Sequence, residues 1–186
     1  MRQIRYGAEK ALCYLDTPIG RIGVAEDGEG ICDIFFGPGD ETAGMKTRET
    51  SLLIEAKNQL REYFNGERLS FDLPLSLCGT EFQLSVWQAL QTIPYGKTCS
   101  YKEIAEQIGN PKAFRAVGMA NNRNPVSIVV PCHRVIGHDG ALVGYGGGIQ
   151  LKDFLLRLER RYAVYREFRI ISDKPQDVED IDKETW

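Results

Sequence analysis

The sequence predicts an α+β protein: a small N-terminal antiparallel sheet with one helix, followed by a mainly helical unit containing a helix-turn-helix. Three observations predict it. Residues 11–36 alternate β-prone runs with turn signals, residues 51–64 carry apolar side chains at helical spacing, and capping boxes open helices at Thr80 and Ser100. At 186 residues, 42% hydrophobic and 26% charged, the chain is long enough for a buried core and unlike disordered, collagen-like or disulfide-stapled sequences. No apolar run approaches the roughly 20 residues that span a bilayer. The N-terminus MRQIRYGAEK lacks the apolar stretch of a signal peptide, so a cytoplasmic protein without a membrane partner is expected.

From Ala11 to Phe36 short strands are separated by turns at Thr17-Pro18-Ile19-Gly20 and Asp27-Gly28-Glu29-Gly30. Leu52, Leu53, Ala56, Leu60, Tyr63 and Phe64 form a helical stripe that Asn65-Gly66 ends. The Pro-interrupted stretch from Leu69 to Cys78 reads as a connector, which divides the chain into units at 1–78 and 79–161 and leaves an extension at 162–186. The second unit opens with Thr80-x-x-Gln83 and the stripe Phe82, Val86, Leu90 and Ile93, stopped at Pro94-Tyr95-Gly96. Ser100-x-x-Glu103 starts a short helix that Gly109 closes. Asn110-Pro111 then restarts the helical pattern, with Ala113, Ala116, Val117 and Ala120 as small packing residues. Two short helices across a Gly-Asn turn resemble a helix-turn-helix, a pattern shared with helical hairpins that only pack. Val126 to Val130 reads as a buried strand delivering Cys132, and Leu151, Phe154, Leu155, Leu158 and Tyr162 mark a last helix. Its other side carries Lys152 and Glu159, two turns apart.

The net charge of −3 hides an uneven distribution. Residues 1–78 hold 9 basic and 13 acidic side chains, residues 79–160 hold 9 and 6, and residues 161–186 hold 5 and 7. The middle segment is the candidate anion-facing one, although solubility alone also charges exposed helices. Five scattered cysteines without a C-x-x-C pair argue against a disulfide framework, and only two histidines, His133 and His138, argue against a metal site. Cys13, Cys32, Cys78 and Cys99 read as small core hydrophobes. Cys132 differs, because it follows a proline and adjoins an imidazole and a guanidinium, surroundings that convert thiol to thiolate. One cysteine and one candidate base suit an acyl-transferring hydrolase equally well, so the pair names a nucleophile and no reaction.

PCHRV at 131–135, preceded by NPVSIVV and followed by GYGGG, resembles the active-site signature of the O6-alkylguanine-DNA alkyltransferases, the methylated-DNA–protein-cysteine methyltransferase family. GTEFQLSVWQAL from Gly79, IPYGKTCSYKEIA from Ile93, IGNPKAFRAVG from Ile108 and LKDFLLRLE from Leu151 follow in that family's order. TPIGRIGVAEDGEGI and QLREYFNGE resemble its less specific first domain.

The resemblance implies repair of duplex DNA by transfer of an alkyl group from guanine O6 to Cys132, once per molecule. It implies no cofactor and work in the cytoplasm or wherever the DNA lies, nucleoid or nucleus; nothing in the sequence resembles a dimerisation or inducer domain, so a monomer is expected. His133 and Glu159 would form the relay that draws the thiol proton through water, and Tyr101 would donate to the leaving guanine and crowd the neighbouring phosphate. Arg115 would fill the gap left by the flipped base, with Ala113, Asn122 and Arg123 on the same DNA-facing surface. Asn124 would bridge the recognition segment to the cysteine, and Ser127, Val143, Tyr145, Gly146, Gly147 and Lys152 would line the base pocket. Read without the resemblance, Glu159 is an exposed helix carboxylate and Lys152 a solvent lysine. Ser127 stands where many members have proline and Gly146 where some have serine. YAVYREFRII at 162–171 extends past the usual end and reads as a strand or as packing on the first unit; Asp173 to Glu184, with six acids and two bases, reads as a mobile acidic segment. A lesion-binding protein without transfer, a turnover hydrolase and a transcription regulator are the alternatives; the cysteine argues against the first.

Overall fold

A computed structural model of the chain describes residues 10–37 and 46–171, with side chains through residue 165. The acidic segment expected at 173–184 lies outside the described residues. Strand β1 (Ala11–Thr17) turns through Pro18 and Ile19 into β2 (Gly20–Glu26), where Gly20 takes a φ of 93° that other residues rarely adopt. The next turn is held by Asp27, whose Oδ1 accepts the N–H groups of Glu29 and Gly30 before β3 (Ile31–Phe36) begins. β4 (Lys46–Thr47) completes a four-stranded sheet in the order β3-β2-β1-β4. The sheet is therefore not purely antiparallel: β4 runs parallel to β1, pairing Ala11 with Lys46 and Leu12 with Thr47. The chain reaches the free edge of β1 past β2 and β3, so no hairpin dictates its direction.

Helix α1 (Ser51–Phe64) packs on the sheet through Leu53, Ala56, Leu60 and Tyr63, with the Thr50 hydroxyl accepting the Leu53 N–H at 3.2 Å. The connector is laid against the molecule. Ile31 N–H donates to the Pro74 carbonyl at 2.8 Å, Ser76 N–H donates to the Ile31 carbonyl at 3.0 Å, and the Ser76 hydroxyl donates to Asp27 at 2.6 Å. Further along β3, Ile34 N–H donates to the Pro125 carbonyl at 2.8 Å. The open edge of the sheet thus carries the segment that leads to Cys132.

Both capping boxes form, at Thr80/Gln83 opening α2 (Glu81–Leu90) and at Ser100/Glu103 opening α3 (Tyr101–Gln107). The helix expected from Asn110-Pro111 starts later, as α4 (Phe114–Asn122). Ala113 N–H donates to the Asn110 carbonyl at 2.9 Å, so proline serves a tight turn before the helix and Ala113 becomes its N-cap. Val117 and Ala120 face inward as expected, whereas Ala116 is exposed. Trp87 Nε1–H donates to the Ala120 carbonyl at 2.9 Å and locks α2 to α4. A short parallel pair, β5 (Cys99–Ser100) with β6 (Val135–Ile136), sets the start of α3 beside the chain leaving Cys132.

The run Val126–Val130 is not a strand. Val130 N–H donates to the Val126 carbonyl at 2.9 Å and Ile128 takes a φ of 75°, so these β-branched residues are buried by a tight loop. The last helix, α5, runs from Ile149 to Ile171, so residues 162–171 continue it instead of forming a strand. Tyr162 lies on Gly66 at the end of α1, where any side chain at residue 66 would meet its ring at 2.2 Å. Among the cysteines expected in the core, Cys13 is buried, Cys32 and Cys99 are half-buried, and Cys78 is exposed on the connector. Among the described residues no helix is long and apolar enough to cross a membrane.

Candidate active site

Pro131, at φ −81° and ψ 61°, makes an inverse γ-turn closed by Cys132 N–H donating to the Val130 carbonyl at 2.8 Å. This turn sets Cys132 at the head of a single 3₁₀ turn, Cys132–Arg134. The cysteine is only 2% exposed. Asn124 arranges the loop around it: its amide NH₂ donates to the Val130 carbonyl at 2.8 Å and to Cys132 Sγ at 3.0 Å, while its Oδ1 accepts Val126 N–H at 3.1 Å. Asn121, one helical turn earlier, donates to the Cys132 carbonyl at 3.2 Å.

Burial pushes the Cys132 thiol above its ordinary pKa, opposed by the Asn124 amide, the Ser127 hydroxyl and the Lys152 charge. The resting group is a thiol. The expectation that its neighbours alone convert it to thiolate is corrected, because the low dielectric outweighs them.

His133 is fully buried, as is Glu159 on α5. The carboxylate is a hub. Oε1 accepts from His133 Nε2 and Tyr63 Oη–H, both at 2.8 Å, and from the Arg134 guanidinium at 2.9 and 3.1 Å. Oε2 accepts from Gly96 N–H and Arg134 Nε, both at 2.9 Å. Burial pushes this carboxyl up, but the hydrogen bonds from His133 and Arg134 and the Arg134 charge together bring it down to about 2. An ionised carboxylate only accepts, so His133 carries its proton on Nε2 and presents Nδ1 as a bare lone pair. That nitrogen is buried and has no hydrogen-bond partner among the described residues. Burial lowers the His133 pKa against the pull of Glu159, which keeps the imidazole neutral.

Lys152 is also fully buried and donates to the carbonyls of Val135 at 2.5 Å and Val143 at 2.8 Å, and to Tyr101 Oη at 3.4 Å. Burial brings its pKa down to about 8. The solvent readings of Glu159 and Lys152 are thus overturned. With Leu155 they form the fully buried face of α5, while Leu151, Phe154 and Leu158 are half-buried. Each charge is tolerated there because it meets fixed polar partners.

Tyr101 donates to the Val143 carbonyl at 2.9 Å, and burial pushes its hydroxyl up to about 12. Val143 is itself 45% exposed and contributes this carbonyl. Tyr145 is buried against Phe36 of β3, and burial holds its phenol well above the ordinary value. At Gly147 a Cβ would meet Leu151 at 2.5 Å and the Phe36 ring at 3.0 Å, so this glycine lets the chain pass directly between α5 and β3. Gly146 faces the Asn122 carbonyl, where a Cβ would sit at 3.5 Å.

The structure therefore gathers Cys132, His133, Glu159, Asn124, Ser127, Tyr101, Tyr145 and Lys152. Arg115, Asn122 and Arg123 lie on the exposed side of α4, beside Phe114 and Met119 at 45% and 59% exposure, with Ala113 half-buried at its start. Three participants escape the sequence reading, Tyr63, Asn121 and the Gly96 N–H, and Arg134, read there as a neighbour of the thiol, binds Glu159 instead. Arg134 lies inside the PCHRV motif, where its place beside the histidine is a usable signal; Tyr63 is 96 residues from Glu159 and carries none. Among the described residues no cluster suited to a metal ion occurs.

Residues 81–161 match the family model described as the 6-O-methylguanine DNA methyltransferase DNA-binding domain, and residues 12–77 match the ribonuclease-like domain of the same family. A methylated-DNA–protein-cysteine methyltransferase of Methanosarcina acetivorans is 53% identical over 147 residues, covering 77% of this chain and 94% of the relative. The constitutive enzyme of Bacillus subtilis is 51% identical over 152 residues, covering 78% and 92%. The Mycobacterium tuberculosis OGT solved in complex with DNA superposes with a TM-score of 0.78 at 47% identity, covering 82% of this chain and 94% of that one. With relatives this similar over most of its length, and with the cysteine, histidine and glutamate of the resemblance gathered in one buried site, the chain belongs to the methylated-DNA–protein-cysteine methyltransferase family.

Proposed function

We propose that the chain repairs duplex DNA by moving an alkyl group from O6-alkylguanine to Cys132. The observation that carries this reading is a buried thiol next to an imidazole whose Nε2 is fixed on Glu159 and whose Nδ1 is bare. A buried unpartnered nitrogen is a natural seat for an ordered water. The thiol proton passes through it to Nδ1, and the thiolate attacks the alkyl carbon in line. An S–C bond forms as the C–O6 bond breaks, and its electron pair stays with the guanine, which takes a proton from the Tyr101 hydroxyl. Lys152 lowers the cost of negative charge at Cys132. The thioether has no ordinary route back, so each molecule acts once and needs no cofactor.

The base reaches Cys132 by flipping out of the duplex into a pocket bounded by Asn124, Ser127, Val143, Tyr145, Gly146, Gly147 and Lys152. In this reading α3 and α4 act as the helix-turn-helix of a unit spanning 79–161, after an N-terminal unit at 1–78 and before an extension at 162–186. Arg115 fills the gap, and Ala113, Asn122, Arg123 and the Tyr101 ring face the backbone. The protein works as a monomer where the DNA lies, in the cytoplasm, nucleoid or nucleus.

Intact-protein mass spectrometry after incubation with a duplex containing one O6-methylguanine tests the reading, with peptide mapping of the adduct. The expected result is one methyl on Cys132, saturating at one per chain, and none on Cys132→Ser, which still binds the duplex. An unchanged mass overturns transfer: retained lesion binding would mark a recognition protein, and its absence a thiol with another substrate.

A further inference from the structure

Tyr63 belongs to α1, outside the segment that carries the cysteine, histidine and glutamate, yet its hydroxyl donates to Glu159 Oε1 at 2.8 Å. This is the same oxygen that holds His133 Nε2 at 2.8 Å. Tyr63 is fully buried and wedged between Phe64, Phe71 and Tyr95, with ring centroids 5.4, 5.5 and 5.9 Å away, so its hydroxyl has one direction to point. We infer that Tyr63 is a positioning residue for alkyl transfer: it fixes the carboxylate rotamer and shares the charge of Oε1, and so sets how strongly Glu159 pulls on His133. The role rests on the proposed Cys132–His133–Glu159 relay and adds the first unit of the fold to it.

The chemistry of the hub supports a tuning role as well as a packing one. Oε1 takes donors from Tyr63, His133 and Arg134, and each added donor withdraws negative charge from the others. Burial first, and the Glu159 charge second, keep the Tyr63 phenol protonated far above the working range, so it is a constant donor. The groups facing the relay are Tyr63 from α1, Tyr95 and the Gly96 N–H from the loop after α2, Arg134 and Cys132 from the 3₁₀ turn, and Lys152 from α5. Arg134 and Lys152 both disfavour an imidazolium, and Glu159 favours one. With phenylalanine at position 63, Oε1 turns more of its charge toward His133, which becomes more basic while the carboxylate loses an anchor.

The test compares Tyr63→Phe with wild type in single-turnover transfer from the O6-methylguanine duplex across pH, together with ¹⁵N NMR titration of His133. Phe71→Leu serves as the packing control, since it loosens the same aromatic cluster and leaves the hydroxyl in place. Tyr63→Phe is expected to bind duplex normally, to transfer roughly tenfold more slowly, the scale on which outer partners of an oriented imidazole act, and to titrate His133 at higher pH, moving the acid limb of the rate upward. Phe71→Leu is expected to melt earlier with rate and limb unchanged. A Tyr63→Phe protein with wild-type rate and limb overturns the inference, as does Phe71→Leu reproducing the Tyr63→Phe rate and limb. Glu159→Gln run alongside separates the two levels: if it too transfers normally, the relay itself fails and this role with it.

Discussion

Replacing Glu159 by glutamine keeps the side chain's size and removes one charge from a site without solvent access. In the native protein both carboxylate oxygens are occupied by Arg134, His133, Tyr63 and the Gly96 N–H. An amide in the same place turns an NH₂ toward one set of these donors and leaves the Arg134 side chain, 7% exposed, without a counter-charge. Removing one partner of a buried ion pair costs about 3–5 kcal/mol. The lowered pKa of the same carboxyl corresponds to a similar size: brought from 4.5 to about 2 on folding, it contributes about 3 kcal/mol. Its folded value lies below its unfolded one, so the contribution is complete above pH 4.5 and is lost as the pH falls toward 2. In urea, with a slope of about 2 kcal/mol/M, the midpoint at neutral pH should fall by about 2 M. The gap between wild type and variant should narrow on acidification, because the wild-type carboxyl then becomes neutral as well. Transfer should slow on the order of 10⁴-fold, as when a carboxylate that fixes an imidazole tautomer is neutralised. A variant within about 1 kcal/mol of wild type, the range of an exposed ion pair, refutes the buried hub. A gap that does not narrow with acid refutes the assignment of Glu159 as its charged centre.

Asn124→Ala removes the donor to Val130 and Cys132 Sγ and the acceptor for Val126 N–H; it should cost about 2–3 kcal/mol and raise the Cys132 pKa further. Ultraviolet absorbance of the thiolate checks the second effect, and an unchanged titration would separate Asn124 from the sulfur. Lys152 has a folded value of about 8, below 10.5 for the unfolded chain, so stability from this group should rise as the pH climbs through that window. Transfer should slow over the same window as the ammonium that favours the Cys132 thiolate is lost. Lys152→Met should abolish both trends in urea midpoints and single-turnover rates, and an unaltered alkaline profile would refute them.

What the sequence disclosed and what it hid divide along a physical line. Local signals read well: Thr80/Gln83 and Ser100/Glu103 close their capping boxes, and Gly66 and Gly109 adopt positive φ where helices stop. These depend on residues within a few positions of each other. The errors arise where distant partners decide. Val126–Val130 has the composition of a strand, but Asn124 folds it back as a loop in which the buried Ile128 takes a φ of 75°. Lys152 and Glu159 look like the wet side of α5, because periodicity registers that a charge is present and not whether carbonyls and a guanidinium await it. The family motif located the cysteine, histidine and glutamate, but Tyr63 joins them through tertiary packing alone.

The shifts at Cys132 and His133 acquire their meaning together. Burial raises the thiol and lowers the imidazole, so the low dielectric disfavours both members of the thiolate–imidazolium pair at rest. The neutral pair dominates, which protects a single-use nucleophile from stray electrophiles, since the thiolate is the reactive form. What makes the ion pair reachable is arranged around it. Glu159 is already ionised and bonded to Nε2, Asn124 directs an N–H at the sulfur from 3.0 Å, and the Lys152 charge lowers the thiol's pKa. None of these dipoles needs to reorient when the proton moves, because each is held by a second bond to the fold: Asn124 to Val130, Lys152 to Val135 and Val143, and Glu159 to Tyr63, Arg134 and Gly96. In the proposed transfer the charge-separated state is thus solvated in advance by fixed groups, and its formation is left to the moment when an alkyl carbon meets the sulfur and accepts its electron pair.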